Sequence, residues 1–358
     1  MKKSIIVHLL LILVISLFAF TPPRHKILYP IVSDGYYGYM NANKKLVVEA
    51  KYLYAKRSSE GLATAKIEEG FYHCLNSRGK VVFSIEAVTI RDYKEGLAAF
   101  KQDGKWGFID RKGNIVIEPQ YRYADSFSEG LAMVSSFDRD ISDNSFYINK
   151  DNEMMFDERF YTCRAFSEGY GLVVEGADWR HLKFGIIDHD GNIVVPIEHR
   201  LMKGVRDGLY GVGVFPEDMP PDGAYEDWMG WSFVDIATGE VKFEWPNSGV
   251  KEFHNGYLVV HFEGEGYGII DTEGETVVAP QFRVISSIPG EGLYKFIRKG
   301  RDEKGGYMTA TGEVVIPAQF DSASPFYGKL ARIRKDGQWG YVDLDGEVIY
   351  DKDVFSSE

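Results

Sequence analysis

A chain of 358 residues with a formal net charge of -12 carries no basic stripe to neutralise phosphates, which argues against a nucleic-acid partner. Its 14% aromatic content suits β-structure, and its two cysteines are too few for a disulfide framework. Length alone would suggest two or three domains, but internal repetition overrides that prior.

Residues 1–26 differ in kind from the rest. Lys2 and Lys3 precede an apolar run from Ile5 to Phe20, broken by His8 and Ser16 and ended by Thr21-Pro22-Pro23-Arg24. A basic start before a short apolar stretch predicts export, through a cleaved signal peptide or an uncleaved N-terminal membrane anchor over residues 5–20. The destination is then periplasmic, cell-surface or extracellular. Residues 27–358 form one array of repeats. Cys74 and Cys163 fall at non-equivalent places in different repeats and are expected to be packing residues.

The clearest copy is Gly104 to Leu131. Trp106 to Asp110 is expected to form a strand, Asp110 to Gly113 a turn, and Asn114 to Ile117 a second strand rich in β-branched residues. The turn needs positive φ at Gly113, which glycine adopts without steric cost. Gly79, Gly191, Gly239, Gly274, Gly312 and Gly346 recur at that place, with Asn152 in one copy. Asp110 opens the turn and can bond the backbone two residues on, as can Asp188, Asp235, Asp271 and Asp343, or Asn41, Asn76 and Asn149. Pro119, Pro196, Pro246, Pro280 and Pro317 are expected to end the second strand, because proline cannot donate to a ladder. A polar connection then leads to Phe127, Glu129, Gly130 and Leu131, where a third strand begins. The acidic residue before Gly-Leu, as in Glu60, Glu95, Glu129 and Glu168, is read as a turn-forming and capping group.

The Leu that opens the third strand recurs at Leu62, Leu97, Leu131, Leu172, Leu209, Leu258, Leu293 and Leu330, with gaps of 35, 34, 41, 37, 49, 35 and 37 residues. A unit of this size cannot bury its faces alone, so copies must stack. Unbroken apolar runs such as Ile115 to Ile117, Val194-Val195 and Val314 to Ile316 predict burial on both faces of the sheet. The expected fold is all-β: about nine tandem three-stranded antiparallel units stacked into an open or nearly closed superhelix, with a closed β-propeller ring as the alternative.

This pattern resembles the WG-containing repeat family of bacterial proteins, whose hallmark is a Trp-Gly pair opening a strand, followed by Gly and an apolar strand ending in Pro. Trp106-Gly107 and Trp339-Gly340 match it literally, and Phe184-Gly185, Tyr267-Gly268 and Tyr37-Gly38 keep an aromatic before the Gly. Trp231-Ser232 loses the Gly, while Tyr72-His73, Ser145-Phe146 and Gly305-Gly306 depart further. The resemblance implies a repeat architecture and no agreed activity.

Function, on this reading, belongs to the connections. The distance from the opening Leu to the Trp position is 9 residues in Leu97 to Trp106, Leu258 to Tyr267 and Leu330 to Trp339. It lengthens to 14, 12 and 22 in three consecutive central units, giving insertions at 135–145, 175–183 and 213–230. These should cluster on one rim. Trp228, Tyr225, Asp222, Glu226, Asp227, Trp179, His181 and Asp140 are the candidate binding residues there. Flat aromatics beside carboxylates suit a protein surface or a sugar ring.

No catalytic or metal-ligating pattern stands out. Asp188-His189-Asp190-Gly191 and Asp343-Leu344-Asp345-Gly346 resemble the start of a calcium loop but lack the bidentate Glu that should follow. The His spacing matches no zinc motif, and there is no nucleophile elbow or phosphate-binding loop. The expectation is an exported, non-enzymatic binding or scaffolding module at the bacterial cell envelope. It would need no cofactor or metal and would contact a protein or glycan partner. The alternatives are a glycan-acting hydrolase using paired rim carboxylates, and a structural spacer.

Overall fold

The computed structural model describes residues 26–137, 145–176, 181–215, 230–300 and 303–356. Among these, nearly all regular structure is antiparallel strand, in eight hydrogen-bonded sheets. The seven-stranded sheet joins two successive repeats, so nine repeats are present. A helix, Asp351–Phe355, ends the described chain. No helix among the described residues is long and apolar enough to cross a membrane.

The third repeat is typical, with strands Thr89–Ile90, Leu97–Gln102, Lys105–Asp110 and Ile115–Tyr121 bonded in sequence order. The expected three strands are therefore four. What reads as a polar connection holds a two-residue leading strand, found as Tyr54–Ala55, Tyr123–Ala124, Thr162–Cys163 and Ser322–Ala323 in other repeats. Its second residue is buried in most copies: Ala55, Ile90, Ala124 and Cys163 are at most 5% exposed. The fourth repeat keeps a leading strand, but only isolated bridges at Phe160 and Met154 stand in for its trailing strand. The first repeat, Leu28–Ser33, Tyr36–Asn41 and Leu46–Tyr52, has no leading strand among the described residues.

The hairpin turn forms as its residues demand. Gly113 has φ +94°, and the Asp110 carboxylate accepts the Lys112 and Asn114 amides at 2.8 Å each. The trailing strand departs from expectation in two ways. Ile115 and Val116 are 41% and 45% exposed while Ile117 is buried, so the apolar run does not mean burial on both faces. Ile109 faces Ile115 but Phe108 faces Ile117, so one extra residue bulges and both leading apolar residues turn outward. Nor does proline end this strand. Between the pairs Phe108 with Ile117 and Trp106 with Tyr121, two further residues bulge, and Pro119 sits there, where no ladder donor is required. Strands Ile193–His199, Thr276–Ile285 and Val314–Phe320 likewise run past their prolines.

This bulge accounts for Gly107 of the Trp106-Gly107 pair, while at Gly340, where the ladder runs in step, a Cβ would lie 2.3 Å from the Ile349 carbonyl oxygen. A Cβ on Gly107 would lie 2.4 Å from the Ile117 carbonyl oxygen and 2.7 Å from the Pro119 nitrogen. Gly38, Gly268 and Gly306 face the Val48, Val278 and Ile316 carbonyls at 2.4, 2.4 and 2.5 Å across equivalent bulges. Where the Gly is absent, so is the wide bulge: Tyr72, His73 and Cys74 pair in step with Ile85, Ser84 and Phe83, and Trp231, Ser232 and Phe233 with Trp245, Glu244 and Phe243. The eighth repeat, Gly305-Gly306, has lost only its aromatic residue.

Hydrophobic cores lie between successive repeats. One joins Trp106, Phe108 and Ile117 of the third repeat to Ala124, Phe127 and Val134 of the fourth. Turn glycines pack on the trailing strand of the repeat before them, Gly79 on Val48, Gly113 on Phe83 and Gly274 on Phe243, while Gly239 meets nothing within 4 Å. The acidic residue before Gly-Leu does the same job with polar atoms. Glu60, Glu95, Glu129 and Glu168 sit at φ +45° to +56°, and each accepts backbone N–H groups of the next repeat: Gly96 at 2.8 Å, Gly130 at 3.1 Å, Gly169 at 2.9 Å and Gly208 at 3.0 Å. Capping is thus confirmed, with the partner in the next repeat. Cys74 and Cys163 are fully buried free thiols, and burial pushes both up to about 12.

The first and last repeats are in contact. Tyr29, Ile31 and Met40 share a core with Leu330, Tyr341 and Val354, and Lys44 pairs with Asp343 at 2.6 Å.

Candidate functional site

Of the rim residues singled out in the sequence, Asp140, Trp179, Asp222, Tyr225, Glu226, Asp227 and Trp228 lie outside the described residues. His181 is described and exposed. The pairs that close the three long connections, Ser135 with Ser145, Glu175 with Lys183 and Val214 with Gly230, occupy the same place in successive sheets.

A cavity of about 780 Å³ opens instead where the first and last repeats meet. It is bounded on one side by Ser324 and Pro325, which follow the leading strand of the ninth repeat, and on the other by Tyr54 to Arg57, the leading strand of the second and its continuation. Its floor is the strand Leu28–Ser33 of the first repeat. These are the boundaries of the one leading-strand position that no described strand fills.

Two hydrogen bonds show what that position lacks. In the second repeat the leading strand bonds to Leu62–Glu68, with the Lys56 amide donating to the Thr64 carbonyl at 2.9 Å. Counted from the opening Leu, Pro30 corresponds to Thr64 and Val32 to Lys66. The Pro30 carbonyl accepts the Tyr341 hydroxyl at 2.7 Å, and the Val32 amide donates to the Asp351 carboxylate at 3.0 Å. The Tyr341 bond has its counterpart at Thr64, whose carbonyl accepts the Tyr39 hydroxyl as well as the Lys56 amide, so the Asp351 carboxylate is the group that stands where a strand bonds elsewhere. Asp351 is buried and held by the Arg332 guanidinium through two bonds of 2.5 and 2.6 Å.

The aromatic lining follows from the same gap. Trp106 is 9% exposed because Tyr123, the first residue of the next leading strand, lies 6.3 Å away and the Arg91 guanidinium is 4.9 Å from its ring. Trp339 holds the same place in the last repeat, and no such strand lies beside it among the described residues. It is 47% exposed, and Arg332 sits 5.3 Å from its ring. Tyr54, at 46%, is also open to solvent. Arg57 stacks on Tyr327 at 4.0 Å, and Lys56 pairs with Asp92 at 3.3 Å. Burial raises the phenols of Tyr29, Tyr327 and Tyr341 above their ordinary value, so they remain neutral donors. The cleft therefore offers aromatic faces beside two ion pairs, Lys56 with Asp92 and Arg332 with Asp351, and the Arg57 guanidinium stacked on Tyr327, in a protein that is acidic as a whole. Among the described residues no group of His, Cys, Asp and Glu could hold a metal ion.

Sequence reasoning missed this site, although a signal was present. Trp339-Gly340 lies in the ninth copy, beside a first copy that shows no leading strand among the described residues.

A sequence profile of the WG containing repeat matches residues 37–70, 74–106, 106–136, 267–300 and 306–339. No curated protein sequence matches the chain. Among solved structures, one described as a eukaryotic initiation factor is 10% identical over 91% of this chain and 95% of that one, with a TM-score of 0.59. That likeness concerns the fold alone. The computationally designed Ika8 protein is 11% identical over 82% and 93% of the two chains, with a TM-score of 0.47. BamB from Moraxella catarrhalis is 11% identical over 82% and 94%, with a TM-score of 0.45.

Proposed function

Since this chain belongs to the WG containing repeat proteins, we propose that it is a non-enzymatic binding module whose nine repeats close into a ring, with its ligand site at the closing junction. The observation that carries the reading is the half-exposed Trp339, in an aromatic and cationic cleft, at a position where the equivalent Trp106 is covered. A large exposed aromatic cluster has a reason to be there.

Equivalent contacts support closure. The Tyr39 hydroxyl of the first repeat donates to the Thr64 carbonyl of the second at 3.1 Å, and the Tyr341 hydroxyl of the ninth donates to the Pro30 carbonyl of the first at 2.7 Å. Tyr39 and Tyr341 follow Gly38 and Gly340, and Thr64 and Pro30 are both two residues past the opening Leu. The last junction is thus built like the first.

The apolar run Ile5 to Phe20 supports placing the module outside the cytoplasm, at the cell envelope. The pairs that flank the connections at 135–145, 175–183 and 213–230 lie at strand ends equivalent to the one where Trp339 begins its strand, which supports a rim shared by one partner. Affinity capture from a native envelope extract tests the reading, using the full chain, Trp339→Ala, and a form with 215–230 shortened. The Trp339→Ala chain should remain folded and lose its partner. Retention of the same partner by Trp339→Ala would remove the junction from consideration.

A further inference from the structure

We propose that the cleft binds an extended polypeptide that pairs with Leu28–Ser33 as the missing leading strand, through a segment of the type aromatic, small apolar, acidic. This inference rests on the junction being the binding site and adds the chemistry of the ligand.

The other repeats of the protein show what kind of segment the position takes. In eight other repeats a short antiparallel strand fills the equivalent position. The one that no described strand fills keeps the same walls, the leading-strand segments of the ninth and second repeats, and the same floor. A strand is recognised mainly by its backbone, and adding one to an open edge is a common way to bind peptides. The Pro30 carbonyl and Val32 amide supply the acceptor and donor. Asp351 can yield the Val32 amide to a peptide carbonyl without being stranded, because Arg332 continues to hold both its oxygens.

Side-chain preference follows from the same comparison. An aromatic first residue would cover Trp339 as Tyr123 covers Trp106. A small second residue matches Ala55 and Ala124, buried at 5% and 0%. An acidic third residue follows Asp125, which holds the third place of its leading segment and approaches Arg91, the third residue of the one before, at 3.8 Å, and Arg57 supplies a cation in the cleft. The segment 123–125, Tyr-Ala-Asp, has this sequence.

The test is isothermal titration of the full chain with a capped peptide carrying residues 121–127, beside a scrambled peptide of the same composition. One-to-one binding is expected, at least tenfold tighter than for the scrambled form. Val32→Pro removes the amide that faces the cleft and leaves the pairing with Tyr36–Asn41 intact, because that amide points away from it. It should weaken the peptide about tenfold, with circular dichroism unchanged. Equal binding of both peptides, or full affinity in Val32→Pro, would overturn strand addition. Soluble oligosaccharides give the opposite outcome: saturable binding abolished by Trp339→Ala, with no response to peptide, would keep the junction as the site and overturn the polypeptide. If no peptide binds and acrylamide quenching shows Trp339 already as shielded as Trp106, the position is filled within the chain, and a partner in trans is refuted.

Discussion

Gly107→Ala tests whether the Trp-Gly hallmark is set by backbone approach. The added methyl would meet the Ile117 carbonyl oxygen at 2.4 Å, the Pro119 nitrogen at 2.7 Å and the Glu118 carbonyl carbon at 2.9 Å. All three are backbone atoms of a strand tied to its neighbour, so no rotamer change relieves them. The strand Ile115–Tyr121 must move outward, away from Lys105–Asp110. Forcing extra volume into a packed site costs about 1–3 kcal/mol, and the upper half of that range applies where the obstacle is backbone. Ser232→Ala is the control, since Ser232 already carries a Cβ in a regular ladder and should change stability by less than about 0.5 kcal/mol. Urea unfolding followed by circular dichroism gives the stability difference, and hydrogen exchange should localise it to residues 105–121. If Gly107→Ala and Ser232→Ala are equally mild, the bulge does not explain the hallmark.

Trp106→Ala should cost about 3–5 kcal/mol as a core truncation. Trp339→Ala should cost about 2 kcal/mol less, because 47% rather than 9% exposure leaves roughly 95 Å² less to lose at about 25 cal/mol per Å²; equal losses by urea unfolding would contradict an open junction. Cys74 and Cys163 should resist a thiol reagent in the native protein, with thiols pushed up to about 12, and react stoichiometrically once unfolded. Burial holds the imidazoles of His73 and His254 below their ordinary value, with the Lys51 charge adding to the effect at His73. The unfolded chain therefore binds these protons more readily. Their contribution is complete above about pH 6.5 and is lost as pH falls through the folded values. The Tm should drop between pH 7.5 and 5.5, and the double substitution to Gln should flatten that drop.

Features encoded within a few residues were legible in the sequence. The Asp110 to Gly113 turn, the Leu131 strand opening and the packing role of both cysteines depend on local backbone chemistry or on composition. The leading strand was not legible, because two residues such as Thr89–Ile90 carry no period. The trailing strand misled, because the bulge at Val116 breaks the alternation from which burial is read. The junction cleft was hidden for another reason: Tyr29 and Tyr327, or Pro30 and Tyr341, are some 300 residues apart. The aromatic residues of the long connections, Trp179, Tyr225 and Trp228, lie outside the described residues.

The forward-pointing carboxylates have a geometric consequence. Glu60 reaches Gly96, Glu95 reaches Gly130, and Glu291 reaches Gly328, always from one copy to its successor. Contacts of this head-to-tail kind fix a rotation per step, and a circle closes only when the steps complete a full turn. Copy number is then an angular quantity. In a closed ring of nine, as proposed above, a tenth copy could not be accommodated at one place and would have to bend every interface by a little. Lengthening a connection such as 213–230 leaves that angle untouched, so this architecture can gain length freely in its connections and hardly at all in its count.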